Sequence, residues 1–97
     1  MRRDGETAWI EERGWDDGNL AELARHGLRR RTVLQVARRA RFRRNRRHRA
    51  ATHKMIGADD GGALWVVCIV ETTGRGRWTA VTGWPAEAED QAWYRRQ

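Results

Sequence analysis

His26, His53 and Tyr94 can each take or give a proton, and Arg75, Arg77 and Lys54 can grip a phosphate, the arginines through a two-pronged fork. Together these types suit acid–base work at a bound phosphate, and in metal-free cleavage of RNA the roles would divide as follows. A base removes the 2′-hydroxyl proton, an acid protonates the departing oxygen, and cations hold the charge that gathers on phosphorus. A metal route has less to work with. Asp59 and Asp60 are adjacent, but they precede Gly61-Gly62 in a turn sequence where aspartate is common anyway. Three histidines and one cysteine are scattered, and His48 and His53, five apart, match no usual zinc-ligand spacing. Neither metal nor cofactor is expected. Each candidate also has an ordinary role: His26 closes a helix, His53 lies in a strand, Arg77 opens a strand at its rim, and Tyr94 can pack with Asp90 one helical turn earlier.

Charge placement points the same way. Twelve of the 20 basic residues and none of the 13 acidic ones fall between Arg29 and Lys54, so that window carries +12 and the remainder −5. Such a field attracts polyanions, nucleic acid first and an acidic protein partner second. Residues 29–31 also place three arginines at the start of a helix, the positive end of its dipole, at about 0.3–1 kcal/mol per exposed charge. A bound anion would offset that cost, and so would packing elsewhere.

These side chains need a scaffold, and the scaffold has one obvious centre. Ala63 to Val70 is an unbroken apolar run rich in β-branched residues, bracketed by Asp59-Asp60-Gly61-Gly62 and Thr72-Thr73-Gly74-Arg75-Gly76. It is predicted as the central strand of an antiparallel sheet, with both faces covered. It is also far too short to span a membrane, which needs about 20 residues. Ala51 to Ile56 is predicted as the strand before it, joined by a hairpin at Asp60-Gly61, and Arg77 to Trp84 as the strand after it. Ala8 to Trp15 reads as an edge strand and residues 1–7 as a frayed end.

Helices fill the rest. Asn19 caps a helix running to His26, with Leu20, Leu23 and Ala24 on one face and Gly27 as its C-terminal glycine. A second helix spans about 30–41, with Val33, Val36, Ala37 and Ala40 at helical spacing. Residues 43–49 would set like charges all round a helix and read as a self-repelling loop. Pro85 opens a last helix, with Glu87 and Glu89 early and Arg95-Arg96 late, both suited to the dipole. Cys68, inside the apolar run, reads as a small buried hydrophobe. The fold expected over 1–97 is a single α+β domain: a small antiparallel sheet of three or four strands, two N-terminal helices and one C-terminal helix. Nothing at Met1-Arg2-Arg3-Asp4 resembles a signal peptide, so a cytoplasmic protein is expected.

The order Trp15-Asp16, Asn19, His26-Gly27-Leu28, Val33 and Val36 resembles the opening of the BrnT-like toxins of bacterial type II toxin–antitoxin modules. Ile56-Gly57, Asp60-Gly61, the apolar strand, Arg77, Thr82, and Asp90 followed by Tyr94 continue that pattern over roughly residues 9–95. The resemblance implies a fold similar to RelE-type ribonuclease toxins, metal-independent endoribonuclease activity, and neutralisation by a small antitoxin. A homodimer or a toxin–antitoxin hetero-oligomer are the assemblies it allows. On this reading the catalytic positions are His26, His53, Arg77, Thr82 and Tyr94. RNA, free or on the ribosome, would lie on Arg30, Arg38, Arg39, Arg41, Arg43, Arg44, Arg46, Arg47, Arg49, Lys54 and Arg75. Two departures stand out. Such proteins usually carry Ser/Thr-Ala-Arg at the end of the last strand, where this chain has Thr82-Gly83-Trp84, and their second helix opens on a Thr/Ser cap with acids rather than three arginines. A non-catalytic RNA- or ribosome-binding module on the same fold is therefore the alternative.

Overall fold

A computed structural model describes residues 9–10, 17–44, 51, 53–71 and 77–97. The protein is α+β. Its elements run β1 (Trp9–Ile10), α1 (Asp17–Arg25), α2 (Arg30–Arg39), β2 (Arg41–Arg44), β3 (His53–Ala58), β4 (Leu64–Glu71), β5 (Arg77–Pro85) and α3 (Ala88–Arg95). The strands lie in the order β1-β5-β4-β3-β2, so the apolar run, as β4, occupies the middle. Strands β2 to β5 are antiparallel, and two-residue β1 adds to β5 in parallel.

Both faces of β4 are covered, which is why it tolerates no polar residue until Glu71. One face packs Met55, Val67, Ile69, Trp78 and Ala80 against Leu23 of α1, Leu28, and Val33, Val36, Ala37 and Ala40 of the α2 segment. The opposite face packs Ile56 and Val66 against Ala86, with Trp84, Trp93 and Tyr94 at its margin. Cys68 is fully buried, and burial pushes its thiol up to about 11. A thiol both inaccessible and protonated is inert. A disulfide reagent at pH 8 is accordingly expected to label the native chain only as fast as it unfolds; prompt stoichiometric labelling would contradict this packing.

The α1–α2 corner follows its sequence. Gly27 takes φ +87°, Gly27 N donates to Ala24 O and Leu28 N donates to Leu23 O, both at 3.0 Å. This pair of hydrogen bonds closes a helix on a left-handed glycine, and Leu23 and Leu28 are both buried in the same core, the apolar contact that commonly accompanies the motif. The β3–β4 hairpin is equally local. Asp59 Oδ1 accepts from Gly61 N and Ala63 N at 2.9 Å each, and its Oδ2 accepts from Trp65 Nε1 at 3.0 Å. The Trp65 indole, with help from those amides, holds the Asp59 carboxyl below its ordinary range.

Several boundaries differ from expectation. Helix α1 starts at Asp17, so Asn19 lies inside it rather than capping it, and Ala24 is exposed while Leu23 is buried. Helix α2 stops at Arg39, and Arg41–Arg44 forms edge strand β2, not the tail of a helix and the start of a loop. The repulsion argument fails here because successive side chains of a strand point to opposite faces, so neighbouring arginines diverge. Phe42 goes to the α1–α2 face, with its ring 5.4 Å from Trp78, and Arg43 goes to the α3 face. Strand β3 begins at His53 rather than residue 51. Pro85 ends β5 opposite Trp65 instead of opening a helix, which is harmless because β1 pairs only with the far end of β5. Of the edge strand expected over 8–15, Trp9–Ile10 is observed; residues 1–8 and 11–16 lie outside the described residues.

Candidate functional site

The proton-transfer candidates divide into three places. His26, in the turn after α1, and Thr82, on β5, come together on a third residue, Glu22. Thr82 Oγ1 donates to Glu22 Oε2 at 2.8 Å, and His26 Nε2 is 3.4 Å from the same oxygen. Arg25 Nη1 donates to the other oxygen, Oε1, at 2.7 Å. The Thr82 hydroxyl, ahead of Arg25 and His26, holds the Glu22 carboxyl below its ordinary range. Trp84 and the imidazole form a T-shaped pair at 6.2 Å between centroids.

His53 is elsewhere. It opens β3 in register with Ile69 and Ala80, whereas Trp84, beside His26, is in register with Val66 and Ile56. Three residues along and two strands across separate them by roughly 10 Å in each direction. There His53 stands edge-on to Trp78 at 5.3 Å, opposite Arg44 on β2. Tyr94 is in a third place: its hydroxyl donates to the backbone carbonyl of Arg39 at 3.0 Å and ties α3 to the end of α2. Arg77 opens β5 opposite Trp9. Arg46, Arg47, Arg49 and Arg75 lie outside the described residues.

The remaining cations fall into two sets. One set is spent within the molecule. Arg43 and Lys54 reach Asp90 Oδ1 at 3.1 and 3.4 Å, and Arg39 and Arg38 approach Asp60 at 3.1 and 3.9 Å. The other set lies along α2 and β2. Among the described residues no carboxylate is within ion-pair distance of Arg29, Arg31, Arg41 or Arg44. Because Val33, Val36, Ala37 and Ala40 face the sheet, helical geometry sends Arg31, Leu34, Gln35 and Arg38 outward. Leu34, 42% exposed, is the large hydrophobe most open to solvent on that face.

Sequence reading missed Glu22. The signal available was its spacing, four residues before His26 on one helix, which places carboxylate and imidazole on the same face. No group of histidine, cysteine and carboxylate side chains among the described residues could hold a metal ion, and no described helix is long and apolar enough to cross a membrane. What the fold and its surface define is a small basic α+β protein with arginines on the outer side of α2 and on edge strand β2, and a carboxylate–imidazole–guanidinium cluster at the C-terminal end of α1. Comparisons with protein-family models, curated proteins and solved structures return no match.

Proposed function

We propose that this chain is a toxin similar to the BrnT-like proteins, binding RNA through its arginine-rich segment and cleaving it without a metal. The observation that carries the reading is a set of cations with no carboxylate in ion-pair distance among the described residues, Arg29 and Arg31 at the start of α2 and Arg41 and Arg44 on β2. An RNA strand that meets those arginines gains phosphate contacts and releases counterions. Arg38, shared with Asp60 at 3.9 Å and 57% exposed at its side chain, can turn to a phosphate at little expense. Neutralisation by an acidic antitoxin would use the same charge, and a cytoplasmic site of action belongs to this reading.

Two measurements test it. Labelled single-stranded RNA incubated with the protein in EDTA should be cut; intact RNA at large enzyme excess would remove the catalytic half. In the double variant Arg31→Glu with Arg38→Glu, RNA affinity at 50 mM salt should fall by about tenfold or more, and the slope of log affinity against log salt should flatten by about 2. An unchanged slope would mean that this helix does not meet phosphate.

A second reading has its own support. Tyr94 is engaged with a carbonyl, His53 stands apart from His26, and Trp84 occupies the place of the arginine that the resembled proteins carry. A non-catalytic RNA- or ribosome-binding module fits those facts. Trp84→Arg separates the two readings: an inert protein made nucleolytic by that change has the scaffold but not the chemistry.

A further inference from the structure

The cluster on α1 has the composition of an acid–base pair with an anion clamp. Its three working groups reach solvent: the Glu22 and His26 side chains are 35% and 33% exposed, and Arg25 is 70% exposed. Thr82, only 3% exposed, stands behind them and fixes the carboxylate from the sheet side. The charged groups facing Glu22 are Arg25 from its own helix and His26 from the turn after it, while β5 offers it the uncharged Thr82. One negative and two potentially positive groups thus converge on a site open to a phosphodiester.

We propose that Glu22 is the base and His26 the acid for RNA cleavage by this chain, with Arg25 holding the charge that develops on phosphorus. This rests on the ribonuclease reading above and adds its reacting residues. A Glu22 oxygen takes the 2′-hydroxyl proton as the 2′-oxygen forms its bond to phosphorus. The bond from phosphorus to the 5′-oxygen breaks, and that oxygen takes a proton from the His26 imidazolium. The products are a 2′,3′-cyclic phosphate and a 5′-hydroxyl, so no water, metal or redox partner enters. The proton left on Glu22 passes back to His26 across the 3.4 Å between Oε2 and Nε2 and resets the pair. The lowered pKa keeps Glu22 ionised at neutral pH but weakens its pull on a proton, so the expected contribution is at the lower end of that for a positioned base, about 10²-fold.

The experiment uses the full chain, single-stranded RNA and EDTA, with all-DNA of the same sequence as control. Wild type should cut the RNA alone and leave cyclic phosphate termini. Glu22→Gln keeps an oxygen for Thr82, so it should lower kcat about 100-fold at undiminished RNA affinity and unchanged thermal midpoint, and it should erase the acid limb of the pH–rate profile. His26→Asn leaves the Thr82–Glu22 bond intact and covers the case in which Glu22→Gln does not fold. It should lose about 100-fold on RNA but only a few-fold on a uridine 3′-(4-nitrophenyl phosphate), whose leaving group needs no proton. If wild type cuts RNA and Glu22→Gln cuts it equally well, or His26→Asn loses both substrates equally, the assignment is overturned while the ribonuclease reading stands. If wild type leaves RNA whole, both fall.

Discussion

Asp90→Ala is expected to lower the stability of this protein by about 3 kcal/mol, read as a shift of the urea midpoint at constant m-value. Asp90 is only 7% exposed, and its Oδ1 accepts from Arg43 at 3.1 Å and Lys54 at 3.4 Å. Those two cations sit opposite each other on β2 and β3, with side chains 30% and 18% exposed. Removing the carboxylate leaves two like charges as direct cross-strand neighbours, each partly stripped of water. Glu89, 72% exposed and 4.0 Å from Arg43, is too solvated to take over. Helix α3 is eight residues long, too short to persist without its docking contacts, so its hold on the sheet would loosen as well. Lys54→Met in the Asp90→Ala background should recover about half of the loss by removing one stranded charge. A loss below about 1 kcal/mol would show that solvent already compensates the cluster. The same variant bears on RNA. Arg43 and Lys54 are spent on Asp90 in the native state, so freeing them should raise non-specific RNA affinity and steepen its salt dependence.

That cluster also marks what the sequence could and could not tell. The apolar run, its two antiparallel neighbours, the Asp60-Gly61 hairpin, the Gly27 helix end and the buried positions of α2 all rest on rules that act within a few residues, and those were legible. From sequence Asp90 reads only as a packing neighbour of Tyr94; its partners are 36 and 47 residues away, across a strand pairing that local pattern does not encode. Arg43 and Lys54 were read as RNA contacts for the same reason: charge counting sees a window but not the carboxylate that folds onto it. The break at Ala40 was missed because Val33, Val36, Ala37 and Ala40 fit one helical stripe, yet Ala40 takes ψ 150° and turns the chain into β2. The catalytic candidates are chosen by residue type, and type alone does not sort them by place. Only the register shows that His26 and Thr82 share Glu22 while His53 is three residues along and two strands over.

Gly57→Ala should cost about 3 kcal/mol, the upper end for overpacking, because the added carbon meets backbone and not a side chain that can swing away. An ideal Cβ at Gly57 falls 2.8 Å from Val36 O, 3.0 Å from Ala40 Cα and 3.2 Å from Ala40 N. All three atoms belong to α2 or to Ala40, the residue that follows it, so the helix must lift from β3. Gly61→Ala is the matched control. Its nearest neighbour would be Asp59 Oδ1 at 3.5 Å, ordinary contact distance, so its effect should stay within about 0.5 kcal/mol. The same methyl thus separates close helix–sheet approach from glycine in general, and equal losses at both positions would refute the packing argument. The consequence reaches the surface proposed to bind RNA. Arg31 and Arg38 ride on α2 while Arg41 and Arg44 ride on β2, so the spacing of these arginines depends on how closely α2 lies against the sheet. Under conditions where Gly57→Ala remains folded, RNA affinity should fall a few-fold although no cation has been removed. Unchanged affinity in a folded, destabilised variant would mean that RNA reads the number of arginines and not their placement.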